Sequence, residues 1–485
     1  MTGVLIALVT VPLLAALISA TGRVRAAEVS TVLAGLGVAG LAVSLITTVS
    51  AGPVQIGFLR VDAVSVIFLL ATGFLYAAAA VYSVGYVRSG HGGEHFGRYA
   101  RRYYLGFNIF AWSMVCAPAM NGLALLWIAV EITTVVSALL VALDGTRSAA
   151  EAAWKYVLLA SAGLGIGLLA TIFMYYAGAE ALGASYDLAF APLLSAGKAL
   201  PHTAVQLAYV LGVLGYGTKV GLFPVHTWLP DAHSQAPTPI SALLSGSLLA
   251  VSFYAVLRYY QIAVAALGPE FPRAVLLVFG IASLALAALY LLDQQDLKRM
   301  LAYSSVEHMG IMAIGIGFGA PIAVAGVLLH VVVHAAAKGN AFFGAGVLVQ
   351  KYGTKEIAGI RAAGAALPWT GPLLLTAVLA LSAMPPFGLF RSEFQIVTGG
   401  ISGARTTAAA VLVVLVTVAF LGLSLATTRM LFVAGDDIPA RGEPSVWMVV
   451  PMLAGVLVLV VLGVHPPAAF ADLIGRGVAE IGGGP

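Results

Sequence analysis

The stretch Gly215–His233, GYGTKVGLFPVHTWLPDAH, places titratable side chains in a chain that is otherwise strongly apolar. Lys219 lies in an apolar run, and Pro224 follows it closely. A proline inside a membrane helix removes a backbone donor and frees a carbonyl, which only a polar cavity or buried packing can satisfy. We therefore predict a broken helix, with a buried lysine before the break. The titratable residues after the break, which would form an exit or lateral passage, are His226, Asp231 and His233.

The composition indicates an integral membrane protein. Of 485 residues, 61% are hydrophobic and 9% are charged, against about 25% charged in an average soluble domain. Apolar runs long enough to span a bilayer recur along nearly the whole chain, which predicts an all-α membrane fold without a sizeable soluble domain. The basic residues lie singly or in small groups, so we expect no nucleic-acid partner.

The single cysteine, Cys116, limits the redox chemistry of the chain. One thiol excludes a disulfide within the chain and any site that needs four thiolates. We therefore expect no cofactor in this chain. If electrons are involved, another subunit carries them.

Apolar runs and their glycine, proline and charged interruptions predict about fourteen transmembrane helices. The predicted ranges are 3–20, 28–50, 63–87, 103–119, 122–143, 150–178, 203–224, 239–262, 272–292, 299–318, 320–349, 367–402 with a break, 406–434 and 446–464. Most loop arginines and lysines follow odd-numbered helices. The positive-inside bias therefore predicts a multi-pass protein of the plasma membrane with both termini outside.

Two of the predicted helices, the seventh and the twelfth, are broken by prolines. Pro224 interrupts the seventh, and Pro385 with Pro386 interrupts the twelfth. They are five helices apart, as expected if helices four to eight and nine to thirteen are two inverted copies of one unit. The predicted domain ranges are 1–100 for the first three helices, 101–265 and 266–435 for the repeats, and 436–485 for the last helix and tail.

A small set of ionisable residues remains inside the apolar runs. An ionised side chain near the bilayer centre costs about 2.5–3.5 kcal/mol, so an unpaired one is seldom tolerated without a function or a partner. Glu131 is either a neutral carboxyl bonded to a neighbouring helix or the partner of Lys219, with which it would share the desolvation cost. We favour the pair. The full set is Glu131, Lys219, His330, His334, Lys338 and Glu393, with Glu307 and His308 near the start of helix ten.

The predicted eleventh helix carries His330, His334 and Lys338 at i, i+4 and i+8. Such residues fall within an arc of about 80° and span roughly 12 Å along the axis. Since histidine exchanges protons near neutral pH, this spacing predicts a proton ladder. Two alternatives are polar contacts between helices and a haem held by histidines. The haem is disfavoured because two histidines on one turn cannot lie on opposite faces of one iron.

Two long stretches carry a resemblance to a known family. GYGTKVGLFPVHTWLPDAHSQAPTPISALLSG (215–246), followed by DLKRMLAYSSVEHMGIM (296–312), resembles the antiporter-like, proton-translocating membrane subunits of respiratory complex I, multi-subunit sodium/proton antiporters and energy-converting hydrogenases. The resemblance runs from about Asp62 to Glu393. The segment SSVEHMG, with Glu307 and His308, is similar to component F of hydrogenase-4 and formate hydrogenlyase-type complexes.

The resemblance implies roles for the buried residues. It pairs Glu131 with Lys219 and places an exit-side charge, Glu393, beside the break of helix twelve. It also implies a polar helix eleven, which maps to His330, His334 and Lys338 and takes part in proton translocation. As partners it implies other membrane subunits and hydrophilic iron–sulfur, nickel–iron or quinone-site subunits of a redox-driven, proton-translocating complex.

One departure from the family concerns the predicted eighth helix. Many relatives have a central lysine or histidine there, which this chain lacks. Water would have to bridge the gap in a proton path. The polar residues that this helix offers instead are Ser245, Ser247, Ser252, Tyr254 and Arg258.

Two other classes of function stay open at the level of the sequence. One is a subunit of a sodium/proton antiporter without a redox partner, in which sodium is also carried. The other is a structural membrane anchor. Co-purifying nickel–iron or iron–sulfur subunits would favour the redox complex over both.

Overall fold

The computed structural model describes residues 2–90, 95–183, 185–435 and 438–482. Within these ranges the chain is almost entirely helical, and ten helices are long and apolar enough to cross a membrane. The one sheet of these ranges is an antiparallel hairpin of β1 (Val54–Ile56) and β2 (Leu59–Val61). The predicted class, a multi-pass helical membrane protein, is therefore confirmed.

In chain order the helices are α1 (Thr2–Ala20), α2 (Val24–Thr48), α3 (Ala63–Gly90), α4 (Phe96–Ala119), α5 (Leu123–Val141), α6 (Arg147–Leu182), α7 (Phe190–Ala196), α8 (His202–Val220), α9 (Trp228–Gln235), α10 (Thr238–Leu243), α11 (Leu249–Leu267), α12 (Glu270–Leu291), α13 (Leu297–Phe318), α14 (Pro321–Tyr352), α15 (Ala363–Ala366), α16 (Thr370–Leu381), α17 (Gly388–Ser402), α18 (Thr406–Phe432), α19 (Val446–Val464) and α20 (Ala468–Ile481). A π-helical turn, Leu244–Leu248, joins α10 to α11. Short 3₁₀ turns follow α2 and α7 and precede α15.

The helices form an interior set and an outer set. Helices α11, α13 and α14 are buried along most of their length. Helices α1, α2 and α18 expose apolar side chains such as Leu17, Leu33 and Val414. Apolar side chains on the outer surface suit contact with lipid, while the interior helices are enclosed by protein. The polar residues of the interior helices therefore lie away from the lipid-facing surface.

The helix predicted over 203–224 ends earlier, at Val220, and resumes as α9. Gly221 takes a left-handed conformation (φ 84°), and its N–H bonds back to the Gly217 carbonyl at 2.9 Å. The Trp228 indole N–H donates to the Thr218 carbonyl at 2.7 Å. Protein groups thus satisfy the backbone of the break, as a membrane interior requires.

The helix predicted over 367–402 is also two helices, α16 and α17. Pro385 and Pro386 lie in the non-helical segment between them, and Glu393 lies in the second turn of α17. Glu393 is only 5% exposed, so α17 places a carboxyl group in the protein interior.

Several short elements were not predicted, among them the hairpin and the last helix. The strands β1 and β2 have three residues each, too few to give a recognisable alternation of apolar and polar residues. The helix α20 has 14 residues, too few to span a bilayer, and its buried side chains include Phe470 and Leu473. It packs against α3 and α14 and so closes one end of the interior.

Helices α6 and α8 pack closely at glycines, among them Gly163 and Gly167 of α6. A Cβ at Gly215 of α8 would lie 2.8 Å from the Gly163 carbonyl oxygen, and one at Gly163 would collide with Thr218. A Cβ at Gly165 would meet no atom within 4 Å. The close approach brings the end of α8, with Lys219, against α6.

We expect Gly215→Ala to lower the free energy of unfolding by about 1–3 kcal/mol, because the added methyl group overpacks the contact between α6 and α8. Gly165→Ala adds the same methyl group in open space, also within a helix, and is the matched control. Thermal unfolding of the purified chain in detergent compares the two. Equal midpoints for both variants would contradict the close-packing account.

Candidate functional site

Lys219 lies on the last turn of α8 and is fully buried. Its Nζ donates to Thr134 Oγ1 of α5 at 2.7 Å and to Tyr156 OH of α6 at 2.5 Å. The Tyr156 hydroxyl also shares a hydrogen bond with Ser137 Oγ at 2.8 Å. A hydroxyl group both donates and accepts, so these neighbours can accommodate either the ammonium or the neutral amine.

Glu131 lies on α5, one turn before Thr134. Its Oε1 accepts a hydrogen bond from Ser161 Oγ at 3.3 Å, and its Oε2 has no hydrogen-bond partner. Thr134, one turn further along α5, binds Lys219 directly. Among the ion pairs of the described residues, none joins Glu131 to Lys219. The two residues lie in one region, but the acid stands apart from the amine.

A polar cavity of about 1030 Å³ lies beside α9. Asp231 faces it and forms ion pairs with Arg299 at 3.1 Å and with Lys155 at 3.6 Å. Lys155 directly precedes Tyr156, whose ring packs on Trp228 at a centroid distance of 4.5 Å. Lys155 of the cavity wall is thus the sequence neighbour of Tyr156, whose hydroxyl binds Lys219.

His226 lies just before the start of α9, and His233 lies in its last turn. His226 is 5% exposed, and its ring lies 6.4 Å from that of Tyr303, which lines the cavity. His233 is fully buried, and its Nδ1 lies 2.9 Å from the Leu229 carbonyl oxygen. Its ring lies 5.7 Å from that of Phe342 on α14. His226 therefore lies toward the cavity, and His233 lies toward α14.

A buried histidine cluster, formed by His308, His330, His334 and Glu393, joins α13, α14 and α17. His308 Nδ1 lies 3.1 Å from His330 Nε2 and 3.7 Å from Glu393 Oε1. His330 Nδ1 lies 3.0 Å from Ser392 Oγ. These contacts give a continuous set of titratable groups that ends at Glu393. Ligand atoms of His308, His330 and Glu393 all lie within 4.8 Å of one another and could hold a metal ion.

Lys338 and Glu307 lie beside the histidine cluster. Lys338 is fully buried, and its Nζ donates to the Leu301 carbonyl at 3.0 Å. Glu307 lies on α13, which packs against α14, and among the described residues no hydrogen bond joins it to Lys338. His334, one turn before Lys338, has its ring 5.2 Å from that of His308, and neither of its nitrogens has a partner. The predicted residues Glu307 and His308 of α13 thus lie beside the predicted ladder of α14.

Serines of the π-helical turn before α11 contact neighbouring helices. Ser245 Oγ lies 2.7 Å from Ser305 Oγ of α13, and Ser247 Oγ lies 2.9 Å from Thr72 Oγ1 of α3. Both serines lie in the π-helical turn, a feature frequent at functional sites. Over the part of the chain that the structure describes, no run of direct side-chain hydrogen bonds connects Lys219 with the cluster.

Sequence reasoning missed several polar partners. Thr134, Tyr156 and Ser392 are uncharged residues within helices, so nothing in their local sequence marks them. It also missed the buried ion pair between Asp62 and Arg258, whose atoms approach to 2.6 Å. The signal for this pair in the sequence was the acid Asp62 at the start of one apolar run and the base Arg258 near the end of another.

A family model described as "NADH:quinone oxidoreductase/Mrp antiporter, TM" matches residues 119–421 of this chain. The match covers more than half of the 485 residues and includes Glu131, Lys219 and Glu393. The chain belongs to this family. The resemblance drawn from the two sequence stretches is therefore confirmed.

One relative is similar over most of the chain. A protein of Methylacidiphilum infernorum (isolate V4), described as "Hydrogenase-4 component F homolog", is 34% identical over 416 residues, which are 84% of this chain and 86% of that protein. This relative agrees with the subfamily indicated by SSVEHMG.

Two solved structures have the same fold. A chain of the archaeal membrane-bound sulfane sulfur reductase superposes with a TM-score of 0.86 at 22% identity, covering 98% of both chains. A chain of the Mrp complex from Dietzia sp. DQ12-45-1b superposes with a TM-score of 0.87 at 20% identity, covering 99% of this chain and 98% of that one. At these identities the likeness concerns the fold alone.

Proposed function

We propose that this chain is the proton-translocating membrane subunit of a redox-driven complex of the energy-converting hydrogenase, formate hydrogenlyase-like or NADH dehydrogenase-like type. The observation that carries the proposal is Lys219, a fully buried amine held by Tyr156 and Thr134 with the Glu131 carboxyl nearby. A buried lysine inside a membrane protein is expensive and marks ion pathways. Electrons would travel in hydrophilic iron–sulfur, nickel–iron or quinone-site subunits, since this chain would carry no cofactor itself.

The proposal includes an arrangement of about fourteen spans in the plasma membrane, with both termini outside. Helices four to eight and nine to thirteen of this count would be inverted repeats. The interruptions between α8 and α9 and between α16 and α17 support this arrangement, because each lies beside a buried ionisable residue. Broken helices in corresponding positions of two repeats are typical of ion transporters.

The switch in this proposal is the distance between Glu131 and Lys219. A carboxylate at about 4 Å stabilises an ammonium by about 4 kcal/mol at an effective dielectric constant of 20. When the acid withdraws, that stabilisation is lost and the buried amine releases its proton. Moving one charge through 100 mV costs about 2.3 kcal/mol, so the change in free energy is of sufficient size. The separated Glu131 of this structure corresponds to the releasing state.

The proton route in this proposal has three parts. Protons enter from the polar cavity beside α9 and reach Lys219 past His226 and Tyr156. Water near Ser245 and Ser305, together with His233, bridges the region between the two buried lysines. Lys338 and the histidine cluster then carry the proton to Glu393, from which it leaves. The route can also run in the opposite direction.

Purification of the complex in mild detergent, followed by identification of its subunits and proton transport in proteoliposomes, tests the proposed function. We expect iron–sulfur or nickel–iron subunits to co-purify, and electron supply from reduced methyl viologen to drive proton movement in sodium-free buffer. Co-purification of small membrane subunits only, with transport that requires sodium and no electron donor, would instead establish a sodium/proton antiporter.

A further inference from the structure

Three ligand atoms converge inside the histidine cluster, each from a different helix. His308 Nδ1 of α13 lies 3.1 Å from His330 Nε2 of α14 and 3.7 Å from Glu393 Oε1 of α17. All three ligand atoms lie within 4.8 Å of one another. Glu393 Oε1 has no hydrogen bond to lose, so a small rotation of its side chain can shorten the 3.7 Å separation from His308 Nδ1.

Two of the three separations are close to those of a tetrahedral metal site. Zinc binds imidazole nitrogen and carboxylate oxygen at about 2.0–2.2 Å, which places neighbouring ligand atoms about 3.3 Å apart. The two measured separations, 3.1 and 3.7 Å, lie on either side of that value. The ring of His334, whose two nitrogens have no partner, lies 5.2 Å from that of His308.

The orientation of the His330 ring also suits metal binding. Ser392 Oγ donates to the Leu389 carbonyl at 2.9 Å, so it accepts from His330 Nδ1–H at 3.0 Å. The lone pair of His330 then lies on Nε2, which faces His308 and Glu393. A hydrogen bond to the outer ring nitrogen fixes metal-bound histidines in this way in many metal sites.

We propose that His308, His330 and Glu393 form a binding site for a divalent transition-metal ion of the zinc class. Two imidazoles and one carboxylate suit Zn²⁺ and Co²⁺, whereas Mg²⁺ and Ca²⁺ prefer oxygen ligands alone. A nitrogen that binds metal cannot accept a proton. On the basis of the proposed function, a bound ion would therefore interrupt proton movement between Lys338 and Glu393 and act as an inhibitor.

Metal binding is measured on the purified full chain, without electron transfer or proton transport. We expect one Zn²⁺ per chain by calorimetry and, with Co²⁺, the intense visible absorption of a four-coordinate site. His308→Gln and Glu393→Gln should each weaken binding by about 100-fold or more, because loss of an outer-shell partner alone weakens binding 10–100-fold. His202→Gln changes an exposed histidine and should leave binding unchanged.

Ser392→Ala keeps all three ligands but removes the hydrogen bond that orients the His330 ring, and it should weaken binding about 10-fold. This smaller effect distinguishes loss of ring orientation from loss of folding. Failure of wild-type chain to bind Zn²⁺, or equal binding by wild type, His308→Gln and Glu393→Gln, would overturn the metal site. Proton transport with and without Zn²⁺ is then compared in proteoliposomes. Binding without inhibition would keep the metal site and refute the proposed proton route through the cluster.

Discussion

Replacement of Lys219 by methionine is expected to lower the rate of proton translocation by a large factor, to a small residual rate, while the complex still assembles. Methionine fills a similar volume and cannot carry a proton, so the hydroxyls of Thr134 and Tyr156 lose the group that exchanges protons with them. Loss of a positioned proton-transfer group typically costs 10²–10⁴-fold in rate, and we expect a fall of at least about 100-fold. The measurement is acidification or alkalisation inside proteoliposomes, recorded together with electron transfer.

Lys198→Met is the matched control, because Lys198 is exposed in the short turn after α7. We expect this variant to translocate protons at the wild-type rate. Wild-type translocation by Lys219→Met would show that the buried amine is dispensable, and a structural anchor would then explain the chain better.

Replacement of Asp62 by asparagine is expected to lower the free energy of unfolding by about 3–5 kcal/mol, the usual cost of removing one partner of a buried ion pair. Arg258 of α11 donates two hydrogen bonds to Asp62, at 2.6 and 2.7 Å, and both residues are 2% exposed. Glu480 of α20 accepts from the N–H groups of Ala63 and Val64 beside them. The pair therefore joins the start of α3 to the middle of α11, and Glu480 holds the end of α20 beside them.

The same pair predicts a dependence of stability on pH. Burial disfavours the Asp62 carboxylate, but the charge and hydrogen bonds of Arg258, with the charge of Arg60, lower its pKa to about 2. An unfolded aspartate has a pKa of about 3.9, so the stabilisation is fully present above that pH and is lost as the pH falls toward 2. Wild type should approach the stability of Asp62→Asn over this range, as followed by thermal unfolding.

Asp472→Asn makes the same change at an exposed position of α20 and should alter stability by less than about 0.5 kcal/mol. An Asp62→Asn variant as stable as wild type at neutral pH would show that solvent, and not Arg258, balances the carboxylate.

The sequence predicted the features that depend on local context. An ionisable residue inside an apolar run is costly wherever it lies, so Lys219, His330 and Lys338 could be identified without a structure. A proline stops a helix through its own ring and missing N–H, so the breaks after Lys219 and before Glu393 could be placed. The roles assigned to these residues stay predictions.

Contacts between distant parts of the chain could not be predicted in the same way. Tyr156 and Ser392 are ordinary helical residues whose importance depends on the rotation of α6 and α17 in the bundle. His308 was expected to take part, but its place between His330 and Glu393 depends on how α13 packs against α14 and α17. The pair of Asp62 and Arg258 joins residues 196 positions apart.

A double-mutant cycle tests most directly whether Glu131 and Lys219 act as one unit. Protons moved per electron are measured in Glu131→Gln, in Lys219→Met and in the double variant, each assembled in the complex. If the acid acts through the amine, the double variant should lose no more than Lys219→Met alone, because residues of one unit are not additive. Independent, additive free-energy losses, or full translocation in both single variants, would contradict the proposed switch.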